Sequence, residues 1–200
     1  MVKVLIFLRM YRLKAAFLIL SFAAACASTP SSRRGAPDFS SLTLCRGVVI
    51  SNAPATDHSR RIANYDPQAN IRGKVLLRAP VNACVSSGFG PRRGGAGSFH
   101  HGVDLYTGRP SAVYAGGDGV ITSVDRLSGY GKTVLIRHGG GVETRYAHLS
   151  SYAPGVRPGA RIRMGDVLGR TGDTGNATAV HLHYEVIVDG KRHNPLTIAH

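Results

Sequence analysis

The chain has 200 residues, 43% of them hydrophobic, with 25 glycines, 10 prolines and no tryptophan. This length supports one domain of ordinary size together with an N-terminal extension. The formal net charge is +14, of which residues 1–25 contribute four charges, so the remainder carries +10 and will attract polyanions. The basic residues are scattered and lack interleaved aromatic residues, which argues against a nucleic-acid-binding surface and favours a solvated basic one.

The N-terminus has the pattern of an export signal. Residues 1–14 are basic and apolar, and residues 15–25 form an apolar stretch too short to favour a permanent membrane span. Small residues lead directly to Cys26, which resembles the bacterial lipoprotein signal in which that cysteine becomes the lipidated first residue. Ordinary cleavage after Ala25-Cys26-Ala27 is the alternative, and Met10 is an alternative start. Each version predicts export, with residues 1–25 as the signal peptide.

The next two segments and the cysteines set the domain organisation. Residues 26–41 read as a flexible tether rich in Ser, Pro and Arg, and residues 42–75 as an N-terminal extension whose packing the sequence leaves open. Within this extension Leu42–Ile50 reads as a strand. If Cys26 carries a lipid, Cys45 and Cys84 remain to form one disulfide in an oxidising compartment, the alternative being two buried free thiols.

From residue 76 onward short β-branched runs alternate with glycine-rich turns. The predicted strands are 119–124, 132–137, 142–146, 161–164, 166–168 and 181–188. This spacing predicts an all-β fold, a compact antiparallel β sheet or sandwich, for a domain spanning residues 76–200. The pattern shows no strongly amphipathic helix and no repeat of solenoid length.

Two fragments of this domain carry candidate metal ligands. His100-His101-Gly102-Val103-Asp104 and the later His181-Leu182-His183 together supply three ligands for a zinc ion and leave one histidine for acid–base work. His148 is a candidate for a second acid–base group. A lone histidine on a strand is more often a surface or core residue, so the conjunction of three separate segments carries the prediction.

Strand geometry assigns these side chains to faces. Because side chains alternate along a strand, His181, His183 and Glu185 point to one side. If the earlier segment is extended, His100 and Asp104 share a face and are the ligands, while His101 is a bystander. Glu185 then either orients a ligand imidazole or belongs to a structural ion pair.

A longer series of motifs connects these fragments. In order they are Ser87-Gly88-Phe89-Gly90-Pro91-Arg92, His100–Asp104, Val113-Tyr114-Ala115, Asp118-Gly119-Val120, Tyr130-Gly131, Thr144-Arg145-Tyr146-Ala147-His148-Leu149, Gly165-Asp166, Gly169, Thr174-Gly175, His181-Leu182-His183-Tyr184-Glu185 and Asn194-Pro195. With this series the chain resembles the lysostaphin- or LytM-type zinc endopeptidases of bacterial cell walls over about residues 76–198.

The resemblance implies a fold, a site and a reaction. It implies that His100, Asp104 and His183 bind Zn²⁺, that His148 and His181 are the catalytic pair, and that the site lies in a groove between loops. Which histidine is the general base stays open. The implied reaction is hydrolysis of peptide cross-links of peptidoglycan, either glycine-rich cross-bridges or D-alanyl–diaminopimelate links. The signal and tether favour a membrane-anchored periplasmic enzyme, held by a lipid on Cys26, that cuts D-alanyl–diaminopimelate bonds.

Two other functions and one regulatory arrangement compete with this interpretation. Some relatives have lost ligands and activate cell-wall amidases instead, but all five site positions are filled here. A biotinyl- or lipoyl-type carrier needs a lysine on a hairpin tip, and no lysine lies between Lys132 and Lys191. In a latent form the amide of Asn52, Asn64 or Asn70 would take the fourth zinc position, with the extension lying over the groove.

Overall fold

The computed structural model describes residues 39–50, 52–92 and 99–199, and these residues form fifteen β-strands and no helix. The described part of the chain accordingly contains no helix of the length and apolar character that a membrane span requires. The predicted signal peptide, Cys26 and most of the tether lie outside the described residues. The strands are β1 (Thr43–Leu44), β2 (Gln68–Ile71), β3 (Lys74–Leu77), β4 (Cys84–Ser87), β5 (Gly90–Pro91), β6 (Phe99–His100), β7 (Val103–Tyr106), β8 (Ala112–Tyr114), β9 (Gly119–Leu127), β10 (Gly131–Gly139), β11 (Val142–Tyr152), β12 (Arg161–Ile162), β13 (Val167–Thr171), β14 (His181–Val188) and β15 (Lys191–His193).

One large sheet organises the domain. Within the described residues its main path runs β1-β4-β7-β14-β11-β10-β9-β12, with β13, β8 and β15 attached at its sides. All pairings in this sheet are antiparallel except that of β1 with β4. The all-β fold with a mainly antiparallel sheet that the sequence predicts is therefore confirmed.

The sheet buries one face in the core and leaves the other partly open. Tyr146 and Tyr184 lie opposite each other on β11 and β14, are fully buried and face the core with Ile136 and Val186. The residues between them on these strands point to the other face, because side chains alternate along a strand. The site described below lies on that second face, at the end of β14 nearest His181.

The extension over residues 42–75 packs against this sheet in two places. β1 adds a short parallel strand beside β4, and the predicted disulfide joins Cys45 to Cys84 with the two Cα atoms 5.0 Å apart. The β2–β3 hairpin covers the core face, where the Tyr184 hydroxyl donates to the carbonyl of Leu77 at 2.9 Å. The extension is thus bonded to the domain through both backbone and side chains.

The expected strand over Leu42–Ile50 is wrong in its length. Only Thr43 and Leu44 pair with β4, and a turn follows at Arg46 and Gly47. Gly47 has φ +72°, a left-handed conformation that ends the extended segment and is compatible with glycine. The apolar run of Val48, Val49 and Ile50 therefore continues outside the sheet.

Candidate functional site

Three polar side chains from three strands meet at one point on the open face. His100 ends β6, Asp104 lies on β7, and His183 lies on β14 directly opposite Asp104. His100 Nε2 is 3.1 Å from Asp104 Oδ1, His183 Nδ1 is 2.8 Å from the same oxygen, and the two nitrogens are 3.0 Å apart. We call these three residues the donor cluster. The structure thus brings together the residues that the sequence predicts as ligands.

The path of the chain between His100 and Asp104 differs from the expected one. The segment is not extended, because it bends at His101 and Gly102 between β6 and β7. His101 turns outward and its ring packs against Phe99 at 5.2 Å between centroids, so its expected place outside the donor cluster is observed. His100 and Asp104 are therefore the expected pair, but a bend and not an extended strand brings their side chains together.

Gly102 is a residue of the site that the sequence argument did not single out. A Cβ at this position would lie 2.4 Å from the carbonyl oxygen of Tyr184 and 3.0 Å from the ring of His183. The bend therefore passes directly against β14, and a side chain there would displace a member of the donor cluster. The signal for it, a glycine between two predicted ligands, was present in the sequence.

His148 and His181 complete the far side of the site. Their rings are 4.7 Å apart between centroids, and His181 Nε2 is 3.7 Å from Asp104 Oδ1. The ring of His148 also packs against that of His183, with 5.8 Å between the ring centroids. Both residues of the predicted catalytic pair thus face the donor cluster.

A bulge in β11 turns His148 toward the site. Ala147 lies opposite His183, so regular alternation would direct His148 to the core face. The register with β10 shifts at this point, and His148 has φ +60°, which is uncommon for a non-glycine residue. Its backbone amide donates to the carbonyl of Tyr130 at 2.9 Å, which helps to hold this conformation.

Each of these four imidazoles has one ring nitrogen bound to a fixed acceptor. In three of them Nδ1 lies 2.7 Å from a backbone carbonyl, that of Gly88 for His100, of Thr174 for His148 and of Ala179 for His181. A carbonyl accepts only, so Nδ1 must carry the proton. In the neutral ring the lone pair is then on Nε2, which suits a metal ligand or a proton acceptor.

Glu185 holds the fourth imidazole. This carboxylate is fully buried, and its Oε1 lies 3.2 Å from His183 Nε2 and 2.9 Å from the hydroxyl of Tyr130, which donates to it. Its Oε2 accepts from Arg192 Nε at 3.3 Å, with Arg145 3.7 Å away. Both alternatives considered for Glu185 are therefore observed at once, since it orients His183 and also forms buried ion pairs.

The charges of the site favour a cation at its centre. Burial alone would raise the pKa of Asp104, but the contacts of its carboxylate with the imidazoles of His100 and His183, and the positive charge that these rings can carry, hold that pKa well below its usual range. Burial likewise opposes ionisation of His183, yet Asp104 and Glu185 raise its pKa to about 8. The two carboxylates thus stabilise positive charge at His183, and a metal cation at Nδ1 would compensate the same negative charge.

His148 has the opposite electrostatics. Burial lowers its pKa to about 4, against the opposing effect of the hydrogen bond to Thr174, and the nearby imidazoles of His181 and His183 lower it further. At neutral pH His148 is therefore uncharged and can accept a proton at Nε2. This property suits a group that takes part in acid–base chemistry.

The donor cluster fits a zinc ion. Two imidazole nitrogens and one carboxylate oxygen are a donor set that catalytic zinc sites use, with the fourth position left to water or substrate. Tetrahedral bonds of about 2.0–2.1 Å place ligand atoms about 3.3 Å apart, close to the separations of 2.8, 3.0 and 3.1 Å seen here. Within the described residues, these ligand atoms form a group compact enough to hold a metal.

Arg92 is a second residue whose part in the site the sequence did not reveal. Its Nη2 lies 3.0 Å from Asp104 Oδ2 and 3.0 Å from Ser87 Oγ. Because Arg92 binds Oδ2, the other carboxylate oxygen of Asp104 remains directed at the two imidazoles. The amides considered for a latent form lie elsewhere: that of Asn52 bonds to the backbone of Gly88, and Asn64 and Asn70 make no hydrogen bond to the donor cluster.

Two adjoining openings give access to the donor cluster. A pocket of about 480 Å³ lies directly over it, lined on one side by Phe99 and Tyr130. A groove of about 1050 Å³ extends from it toward the disulfide. Asp104 and His181 line both, so the openings form one continuous depression.

Known proteins share both the sequence and the architecture of this region. Residues 98–195 match peptidase family M23. The chain is 36% identical over 139 residues to the peptidoglycan DD-endopeptidase ShyC of Vibrio cholerae, covering 67% of this chain and 32% of that protein. Among solved structures, a zinc-containing peptidase from Vibrio cholerae matches with TM-score 0.57 and 31% identity, over 62% of this chain and 40% of that one.

The lysostaphin catalytic domain of Staphylococcus simulans is matched almost completely. The chain covers 90% of that domain with 57% of its own length, at 30% identity and TM-score 0.53. The chain therefore belongs to peptidase family M23, as the resemblance predicted. It spans only about a quarter to a third of the length of the curated relatives that it matches first.

Proposed function

We propose that this protein is a zinc-dependent endopeptidase that hydrolyses the peptide cross-links of bacterial peptidoglycan, at the D-alanyl–diaminopimelate bond. The observation that carries the proposal is that His148 and His181 lie beside the donor cluster. In each of the four imidazoles one ring nitrogen is bound to a fixed acceptor, which leaves the other nitrogen for the metal or for a proton. Relatives named peptidoglycan DD-endopeptidases support the choice of substrate.

In this proposal His100 Nε2, Asp104 Oδ1 and His183 Nδ1 hold the metal. When bound, zinc supplies Lewis-acid polarisation and lowers the pKa of a water molecule toward ~7. Arg92 keeps Asp104 oriented through Oδ2, and Glu185 keeps His183 in the required tautomer. These contacts fix the ligands before substrate arrives, so little reorganisation is needed during the reaction.

His148 and His181 carry out the proton transfers. Both rings lie beside the donor cluster. One ring takes the proton of the attacking water at Nε2, and the other, in its protonated form, donates Nε2–H to the charge that develops on the amide oxygen. A histidine that has received the proton can then donate it to the departing amine. Burial keeps His148 uncharged, so its Nε2 lone pair is free before the reaction, although the same burial lowers the basicity of the ring.

The test uses detergent-solubilised full-length protein with one equivalent of zinc on isolated sacculi. Liquid chromatography with mass spectrometry should show cross-linked dimers converted to monomers, and the new termini identify the bond. His148→Ala and His181→Ala should abolish this conversion while zinc binding persists, whereas His58→Ala, an exposed histidine outside the site, should not.

Two results would contradict the proposal. Intact dimers after incubation with zinc-loaded protein would remove the endopeptidase function. The activator alternative would take its place if the same protein stimulated a cell-wall amidase added to the sacculi. If His148→Ala and His181→Ala retained the activity, the assignment of these two histidines as the catalytic pair would be wrong.

We also propose that residues 1–25 export the protein and that Cys26 carries a lipid that anchors it at the periplasmic side of a membrane. The proposal rests on the apolar stretch ending in small residues before Cys26. Radiolabelled palmitate should be incorporated into the wild type and not into Cys26→Ser. Equal labelling, or a soluble wild-type protein without label, would favour ordinary signal cleavage.

A further inference from the structure

The groove beside the donor cluster has one wall that the N-terminal extension supplies. Its floor is formed by β4 and β7, through residues that include Ser86 and Tyr106. The opposite side is formed by the segment before β14, with Thr178 and Ala179. Residues 46–50 form the remaining wall, and we call them the wall segment.

The wall segment is fastened at both of its ends. Before it, the amide of Cys45 donates to the carbonyl of Val85 at 3.0 Å, and the disulfide to Cys84 adds a covalent link. After it, the Asn52 side chain bonds the Gly88 backbone in both directions, through Nδ2 to the carbonyl and from the amide to Oδ1. The segment thus spans alongside β4 between two fixed points.

The second fixed point is shared with the donor cluster. The same carbonyl of Gly88 that accepts from Asn52 also accepts from His100 Nδ1 at 2.7 Å. A Cβ on Gly88 would lie 2.2 Å from the Asn52 carbonyl oxygen, so the two backbones are in direct contact. The position of the wall segment is therefore set relative to a proposed metal ligand.

The wall segment exposes groups that a peptide can bind. Val48 is 45% exposed and Val49 98% exposed, and in the floor of the groove Tyr106 is 40% exposed. Clustered exposed apolar residues beside a polar site are typical of ligand-binding surfaces. Arg46 lines the same groove, and no carboxylate among the described residues pairs with it.

Three of these four groups lie outside the part of the chain that matches peptidase family M23. That match covers residues 98–195, so Arg46, Val48 and Val49 precede it and Tyr106 lies within it. The wall segment is therefore supplied by the N-terminal extension, from outside the matched range.

We propose that the wall segment forms a specificity subsite for one arm of the cross-linked substrate, and this inference rests on the proposed function. Val48, Val49 and Tyr106 contact the aliphatic portions of the stem peptide, and Arg46 binds a free carboxylate that the peptide carries. Diaminopimelate and D-alanine supply both features, an alkyl chain and a carboxylate. The subsite binds substrate and takes no part in the chemical step.

The test measures steady-state cleavage of a soluble cross-linked muropeptide dimer by the zinc-loaded full-length protein. Val48→Ser with Val49→Ser, and separately Arg46→Ala, should each raise KM about ten-fold with kcat nearly unchanged, as loss of uniform binding requires. Val167→Ser and Arg126→Ala are matched controls, since Val167 is 45% exposed, Arg126 is exposed and neither lines the groove. The controls should leave KM unchanged.

A chemically altered substrate makes the role of Arg46 specific. When the free carboxylates of the dimer are amidated, Arg46→Ala should no longer change KM, because the group that it binds has been neutralised. An equal effect of Arg46→Ala on both substrates would overturn the assignment of Arg46. Wild-type KM values for the wall variants would overturn the subsite.

Binding separates this inference from the proposed function. Zinc-loaded His148→Ala, with and without the wall substitutions, is titrated with the same dimer by calorimetry. If the wild type fails to cleave but the wall substitutions weaken binding about ten-fold, the endopeptidase proposal falls and the subsite stands. If the wild type cleaves and the wall substitutions change neither KM nor Kd, the subsite falls alone.

Discussion

The buried carboxylate of Glu185 is expected to set the metal affinity of the site, and Glu185→Gln tests this without changing the size of the side chain. The wild-type carboxylate accepts from His183 Nε2 at 3.2 Å and faces two guanidinium groups, those of Arg145 and Arg192. A neutral amide cannot compensate those cations, and its NH₂ group opposes at least one of the donors around it. The imidazole of His183 thereby loses its fixed orientation and part of its basicity.

The size of the effect follows from the kind of contact removed. Loss of a carboxylate that orients a metal-ligating histidine typically weakens metal binding 10–100-fold, which corresponds to about 1.4–2.7 kcal/mol. Glu185 is 0% exposed, so water cannot replace the lost charge, and we expect a result toward the upper end of this range. Zinc Kd is measured by competition with a chromogenic chelator, and circular dichroism checks that the variant folds.

Glu143→Gln provides the matched control. Glu143 lies on β11 and pairs with Ile187 of β14, two register positions from the pair of Arg145 with Glu185. It makes no hydrogen bond to the donor cluster. A folded Glu185→Gln protein with wild-type zinc Kd, or an equal loss in Glu143→Gln, would refute the reasoning that Glu185 acts through His183.

Three further outcomes are expected. The double variant Cys45→Ser with Cys84→Ser should lose ~4 kcal/mol of unfolding free energy in urea titrations on the loop-entropy model, and a loss below ~1 kcal/mol would contradict it. Gly102→Ala should cost about 1–3 kcal/mol by overpacking and weaken zinc binding, because its Cβ meets His183; a fully stable variant with wild-type zinc Kd would be the contrary result. Burial lowers the pKa of His138, although the hydrogen bond to the backbone carbonyl of Asp118 opposes this effect. Because the unfolded chain then binds a proton at His138 more readily than the folded protein, the contribution of His138 to folding stability is complete above pH 6.5 and declines as the pH falls below that value. Thermal unfolding of His138→Gln should therefore show a weaker loss of stability between pH 7.5 and 5.5 than the wild type, and identical pH profiles would exclude this linkage.

The long strands and the shared face of His181 and His183 could be predicted from the sequence because both depend on local periodicity. β-branched runs between glycine turns predicted the long strands, and β14 spans the predicted residues, His181–Val188. Alternation along that one uninterrupted strand placed His181 and His183 on a common face, as the contacts of both with Asp104 bear out.

The orientation of His148, the bend at Gly102 and the course of the wall segment depend on interruptions of the strand periodicity. The pattern of side chains along the sequence does not reveal such interruptions. The bulge that turns His148 to the site breaks the alternation rule, and so does the bend at Gly102. The β-branched residues Val48 and Val49 predict a strand, and for the wall segment this prediction is wrong. Its course is determined by contacts distant in sequence, from Cys45 to Cys84 and from Asn52 to Gly88.

The backbone acceptors behind the imidazoles have a consequence for engineering. Three of the four rings are held in their tautomer by main-chain carbonyls, which no substitution at those positions removes. Only His183 depends on a replaceable side chain, that of Glu185. Grafting the five site residues onto another scaffold would therefore fail unless the loops carrying Gly88, Thr174 and Ala179 were transplanted with them. Conversely, substitutions of these three acceptor residues should leave the tautomers of His100, His148 and His181 unchanged.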